Sequence, residues 1–231
     1  MREDALFRIV SMTKPITSIA FMQLVEQGKI ALDDPVARVL PELADLGTYA
    51  GGGGGVPFAP AKRGVPMRFV DLMTHSAPYL RIPEPYQRRC GLSRCRTGSG
   101  AKAVRFRRVS RNAGLGSARI RAGNGLELSV STDVLGIAVE RLSGKSLGAY
   151  FAEHIFDPLG VVDTAFDVTP AQQPRLADAY AYCPGKSPKP LGKGFNFKLG
   201  EAARFHSGGG GLEGTIADYH RFAAMLLGKG R

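Results

Sequence analysis

The stretch Asp4-Ala5-Leu6-Phe7-Arg8-Ile9-Val10-Ser11-Met12-Thr13-Lys14-Pro15-Ile16-Thr17-Ser18 sets a serine three positions ahead of a lysine, at the start of an apolar helical segment. A serine hydroxyl is a poor nucleophile near neutral pH and needs a neighbour that takes its proton. Residues three apart on a helix share a face, so the Lys14 amine can reach the Ser11 hydroxyl. The free N–H groups of a helix start also favour negative charge developing nearby. The same spacing occurs as an ordinary solvated helix face, and the tetrapeptide Ser11–Lys14 alone leaves both readings open.

Working outward, the helix is predicted from about Ser11 to Gln27. Ile16, Ile19, Ala20, Leu24 and Val25 form its apolar stripe and Gly28 its stop. Pro15 fits only a first turn, which allows a start later than Ser11. Asp33 or Asp34 is expected to cap the next short helix, with Pro35 at its start. Leu135–Leu142 and Leu147–Ile155 read as two helices around Ser143-Gly144, after which Phe156-Asp157-Pro158-Leu159-Gly160 turns the chain. Residues 167–205 read as loop-rich, and Thr215–Leu227 as a final amphipathic helix. Gly51–Gly55 reads as a tether, because no helix pattern follows it.

Composition narrows the class. A chain of 231 residues with 44% hydrophobic content is an ordinary globular composition. No apolar run is long enough to span a membrane. Met1-Arg2-Glu3-Asp4 lacks the basic-then-apolar pattern of a signal peptide, so the chain as written is expected in the cytoplasm. The three cysteines have no metal-ligand spacing. The net charge of +11 resembles a nucleic-acid signal. Its placement argues otherwise: residues 79–128 hold twelve basic and two acidic residues, leaving nineteen basic and eighteen acidic elsewhere.

The stretch around Ser11 resembles the nucleophile region of the β-lactamase-related serine hydrolases, a family of class C β-lactamases, family VIII esterases and D-Ala-D-Ala peptidases. Further blocks follow in the family's order. They are Leu32-Asp33-Asp34-Pro35-Val36 with Leu40-Pro41-Glu42, then Asp71-Leu72-Met73-Thr74-His75, then Ser131-Thr132-Asp133-Val134-Leu135-Gly136. Phe156-Asp157-Pro158-Leu159-Gly160 and Gly208-Gly209-Gly210-Gly211-Leu212 complete them. The resemblance implies an α+β, β-lactamase/transpeptidase-like fold: an antiparallel sheet flanked by helices, plus a helical region. Both ends are expected to be truncated relative to the family, with most sheet strands missing, so that residues 1–231 form a partial domain.

Residues 78–128 do not fit that pattern. They show no sustained helical or strand period and are rich in Arg, Gly and Ser. With suitably chosen codons, Leu80–Cys90 and Ser117–Leu128 both decode one base later into family-like sequence. The segment is therefore expected to lie between compensating frameshifts, near Ala77 and near Leu128. The family places a tyrosine beside its serine and lysine to help move protons; the matching position here is Leu128, followed by Ser129. General acid–base help contributes about 10²–10⁴-fold, so turnover is expected to be impaired. Arg96-Thr97-Gly98 mimics the family's third motif but precedes the second, the wrong order. Gly144-Lys145-Ser146 and Gly185-Lys186-Ser187 lack the upstream glycine of a phosphate-binding loop.

The resemblance implies acyl transfer to water. Ser11 would attack a small-molecule ester, amide or β-lactam carbonyl and Lys14 would take its proton, with burial lowering the amine's pKa. No metal or organic cofactor is implied. An esterase-like role is preferred to β-lactam hydrolysis, because Ser-Met-Thr-Lys-Pro-Ile-Thr is more similar to the esterase branch. A non-catalytic remnant of a broken hydrolase gene is the alternative, and a basic nucleic-acid-binding protein the third reading. Gly208–Gly211 reads equally as a plain turn or as the family's glycine run near the active site. His206 is expected to be a surface residue rather than a general base, and oligomeric state is left open.

Overall fold

A strand that runs straight into a helix gives the molecule its organising corner. In the computed structural model, which describes residues 2–44, 66–77, 130–181, 187–190 and 205–230, β1 (Phe7–Arg8) leads through a tight turn at Val10–Met12 into α1 (Thr13–Glu26). The predicted helix thus starts two residues after Ser11, and Pro15 occupies the first turn, where a missing N–H costs nothing. Gly28, at φ +68°, follows the last turn in the left-handed conformation that glycine adopts without strain. The glycine tether, the basic segment 78–128, Leu128, Ser129 and Gly185-Lys186-Ser187 lie wholly or partly outside the described residues.

Four further helices follow α1 and precede the last one among the described residues. They are α2 (Phe69–Met73), α3 (Ser131–Ser143), α4 (Leu147–Phe151) and α5 (Asp157–Leu159). The last helix is α6 (Ile216–Leu227). The two helices expected around Ser143-Gly144 are present, but the first begins earlier, at Ser131. Gly144 separates them at φ +71°, and the Ser146 hydroxyl caps α4 by accepting the Ala149 N–H at 3.3 Å. The expected turn at Phe156–Gly160 comes later than predicted. The helix continues through a wide turn at Ala152–Phe156 into α5, and only Gly160 ends it. Thr215, read as the first residue of the last helix, instead caps α6, accepting the Asp218 N–H at 3.1 Å.

The expected cap on the second short helix is corrected. The Val36–Arg38 turn has no side-chain cap. Asp34 instead accepts the Ala31 N–H at 2.8 Å and pairs with Arg38, while Asp33 pairs with Arg68 across 35 residues. Asp34 thereby closes the turn before the helix rather than the helix itself.

Helix α1 packs on α3, which also meets α2 and α4. Ile16, Ala20, Phe21 and Leu24 of α1 enter one buried cluster with Phe69, Leu72, Val134, Leu135, Ala138, Leu147 and Phe151. Phe21 and Phe69 bring their rings to 4.8 Å between centroids. Burying each such side chain stabilises the fold by about 1.5–3 kcal/mol. Ile19 and Val25, expected in the stripe, are only partly buried, and Phe21, Thr13 and Thr17 take the buried positions beside Ile16, Ala20 and Leu24.

The strands among the described residues form two antiparallel pairs, with isolated bridges at Leu6–Leu176, Pro35–Arg68 and Ala165–Glu213. One joins β1 to β4 (Glu213–Gly214), and the other joins β2 (Tyr180–Ala181) to β3 (Lys189–Pro190). Helices with small antiparallel pairs make an α+β arrangement. No helix among the described residues is long and apolar enough to cross a membrane.

Glu213 sits opposite Arg8 in the first pair, with its Oε2 atom buried and without a hydrogen-bond partner among the described residues. Burial raises its pKa from 4.5 to about 7, Asp167 adds to the rise, and Arg8 opposes it. A raised carboxyl pKa means that the folded chain holds a proton the unfolded chain has lost. Its stabilising effect is therefore complete below pH 4.5 and disappears as pH rises through about 7. Glu213→Gln is expected to flatten the fall in melting temperature over that window. An unchanged pH dependence in this variant would mean that Glu213 titrates normally.

Candidate active site

The corner between β1 and α1 carries Ser11 and Lys14 on one side of the same turn. The Lys14 amine lies 3.1 Å from Ser11 Oγ, donating to it. Ser11 is exposed and Lys14 half-buried, so the hydroxyl faces solvent while the amine lies beneath it. Val10, just before the serine, has φ +46°. A β-branched residue adopts that conformation only where the surroundings enforce it. Two backbone bonds do so here: Ile9 N–H to the Leu212 carbonyl at 3.0 Å, and Met12 N–H to the Ile9 carbonyl at 2.9 Å.

The glycine run closes over this corner from the far end of the chain. Lys14 donates a second hydrogen bond, at 2.5 Å, to the carbonyl of Gly209. Thr17 Oγ1, one helical turn further along, donates to the Gly208 carbonyl at 2.8 Å, and Thr13 Oγ1 accepts the Leu212 N–H at 3.2 Å. The two buried threonines that interrupt the apolar stripe of α1 therefore fasten the turn to the helix. The two readings of Gly208–Gly211 merge: the segment is a turn, and it touches Lys14.

Glycine is needed there for close approach. A Cβ on Gly208 would stand 2.7 Å from the Thr132 carbonyl, and one on Gly209 would stand 2.6 Å from Asp133 Oδ2. Asp133 is 9% exposed in the first turn of α3. Its Oδ1 accepts the Ser207 hydroxyl at 2.6 Å and the Gly209 N–H at 3.0 Å. Burial pushes the Lys14 amine below its ordinary value of 10.5, and the charge of Asp133 pulls it partly back.

Some of these residues escape a linear reading. Asp133 carries a signal, a lone charge in the otherwise uncharged run Ser131–Val139, but its partners lie 74 and 76 positions away. Tyr219 of α6 reaches the same corner, its hydroxyl donating to the Met12 carbonyl at 3.4 Å. His206 corrects the expectation of a surface residue. It is half-buried, its ring stacks on Phe166 at 4.5 Å, and its Nδ1 accepts the Gly148 N–H at 3.1 Å. It has a packing role on the far side of the glycine turn. Among the described residues, no three His, Cys, Asp or Glu side chains are grouped to hold a metal ion.

The sequence matches the family model described as Beta-lactamase over residues 1–231. It is 32% identical over 255 residues to Protein Rv1367c of Mycobacterium tuberculosis, covering 100% of this chain and 56% of that protein. It is 30% identical over 243 residues to Esterase EstB of Burkholderia gladioli, covering 96% of this chain and 57% of EstB. The chain thus spans little more than half the length of these relatives. Among solved structures, EstCE1, described as a hydrolase with promiscuous acyltransferase activity, superposes with a TM-score of 0.66 at 25% identity. That match covers 100% of this chain and 61% of EstCE1.

Proposed function

Because this chain belongs to the beta-lactamase family, we propose that it is a serine hydrolase that acylates Ser11 with the acyl group of a small-molecule ester or amide. The observation that carries this reading is the 3.1 Å separation between the Ser11 hydroxyl and a half-buried Lys14 amine. In its neutral form that amine accepts the hydroxyl proton as Oγ bonds to the substrate carbonyl carbon. The tetrahedral adduct then collapses, the bond to the leaving group breaks, and Lys14 returns the proton to the departing oxygen or nitrogen. Water releases the acyl group from Ser11 by the same proton route in a second cycle.

An ester is the favoured substrate class. EstB is named an esterase, and EstCE1 a hydrolase with acyltransferase activity. Val10 and Met12, which flank Ser11, are 50% and 45% exposed and offer apolar surface beside the nucleophile. That surface suits an acyl chain better than a charged peptide end. Leu128 stands where the resemblance expects a proton-moving tyrosine, so slow turnover after acylation belongs to the same reading.

Lys14 must be neutral to act as the base, so acylation rises with pH through the amine's lowered pKa. Incubation of the full chain with a fluorophosphonate, followed by intact-mass measurement and peptide mapping, tests the proposal. The expected result is one adduct, on Ser11, forming faster as pH rises. A folded chain that gains no adduct at Ser11 would instead favour the non-catalytic remnant.

A further inference from the structure

We propose that Asp133 is a positioning residue for this site: through Gly209 it fixes where the Lys14 amine sits. The inference rests on the Ser11–Lys14 reading above. Its geometry is a short relay. The Asp133 carboxylate holds the Gly209 N–H at 3.0 Å, and the carbonyl of the same residue holds the Lys14 amine at 2.5 Å. Ser207 steadies the carboxylate from the other side at 2.6 Å. Gly209 is clamped from below as well, since its Cα lies so close to Asp133 that a Cβ would meet Oδ2 at 2.6 Å.

A lysine side chain has four rotatable bonds and a strongly hydrated head. Left to itself, the Lys14 amine gains by leaving its half-buried position for water. Two acceptors keep it in place, Ser11 Oγ and the Gly209 carbonyl. The turn that carries Ser11 is tied to the body of the fold by the Ile9–Leu212 and Tyr219–Met12 bonds on either side of it. The anchor of Gly209 is Asp133 on α3, the helix that packs against α1.

The carboxylate also acts through its charge. Of the groups around the amine, Asp133 is the one whose charge raises the Lys14 proton affinity against burial. The other ionisable side chains nearby do not replace it. Tyr219 of α6 bonds the Met12 carbonyl, and burial raises its pKa, which keeps the phenol neutral. Arg8 of β1 donates to the Ala177 carbonyl, and His206 is stacked on Phe166. Asp133 therefore sets a compromise: burial makes Lys14 a usable base, and the carboxylate keeps its lone pair basic enough to take the serine proton.

Asp133→Asn tests this with little change of shape, because the amide oxygen still accepts from Ser207 and Gly209. NMR titration of the full chain labelled with [13C]lysine, with Lys14 assigned by Lys14→Arg, reads the amine directly. The midpoint is expected to move to lower pH in Asp133→Asn. The acid limb of Ser11 labelling by fluorophosphonate should move with it, and the plateau rate should drop about threefold as the base weakens. Asp133→Ala, which also takes away the acceptor of the Gly209 N–H, should move the Lys14 ε-carbon signal at pH values where the amine is charged; an unmoved signal there, or an unchanged Lys14 midpoint in Asp133→Asn, overturns the proposal. Should Asp133→Asn not fold, the unmodified protein still decides. The Asp133 carboxyl carbon and the Gly209 amide should each show an inflection at the Lys14 midpoint, and flat signals there reject the link. Absence of labelling in the unmodified chain would overturn the nucleophile reading alone, since the lysine titration does not depend on it.

Discussion

Ser11→Ala should abolish the fluorophosphonate adduct, and Lys14→Met should slow its formation by about 10²–10⁴-fold, the usual worth of a positioned general base. Neither loss should come from unfolding. Ser11 is exposed, and its hydroxyl is held by the Lys14 amine on the same turn, so Ser11→Ala should leave the melting temperature unchanged. Lys14→Met leaves the Gly209 carbonyl without its donor, at a cost of about 1 kcal/mol. Labelling rates by intact mass, beside thermal melts of each variant, check both halves. Lys14→Met protein that labelled at the unmodified rate would remove the lysine from the mechanism.

The second large effect is expected at Gly208. A valine there would drive a Cβ to 2.7 Å from the Thr132 carbonyl and 3.0 Å from Thr17 Cγ2. One obstacle is the backbone at the start of α3, and the other is a buried side chain on α1, itself bonded to the Gly208 carbonyl at 2.8 Å. Relief requires the glycine turn to back away from both helices. Overpacking of this kind costs about 1–3 kcal/mol, and more where backbone must move. For a chain of this size that is a fall of about 2–12 °C in melting temperature. Withdrawal of the turn also takes the Gly209 carbonyl from Lys14, so labelling should fall together with stability. Gly28→Ala separates crowding from backbone strain. Gly28 has φ +68°, but a Cβ added there would meet nothing within 4 Å, so its replacement should cost about 1 kcal/mol and spare labelling. A Gly208→Val chain that melted with the parent would show the turn to be loosely packed.

The linear pattern made the helices and their glycine stops legible because those depend on neighbours, while α1 and α3 start elsewhere than predicted, at Thr13 and Ser131. Gly28, Gly144 and Gly160 end helices at positive φ, and Thr215 caps α6 with a residue three positions on. Patterning was less reliable where an apolar stripe was broken on purpose. Thr13 and Thr17 are polar and stand outside the expected stripe of α1, yet both are buried because they bind the glycine turn. Asp34 read as a helix cap, yet closes a turn, because Ala31 offers it a nearer N–H. His206 read as a surface residue, since nothing local announces the Phe166 ring it stacks on.

The sequence alone put a hydroxyl and an amine three positions apart at a helix start, while the turn that brings them to 3.1 Å is held by the Ile9–Leu212 bond from the far end of the chain. Tertiary structure decided what the amine is. Its partner Gly209 lies 195 positions away, and the carboxylate behind that glycine belongs to a third segment. Burial and Coulomb forces depend on which surfaces meet, and that follows from packing the whole core rather than from local spacing.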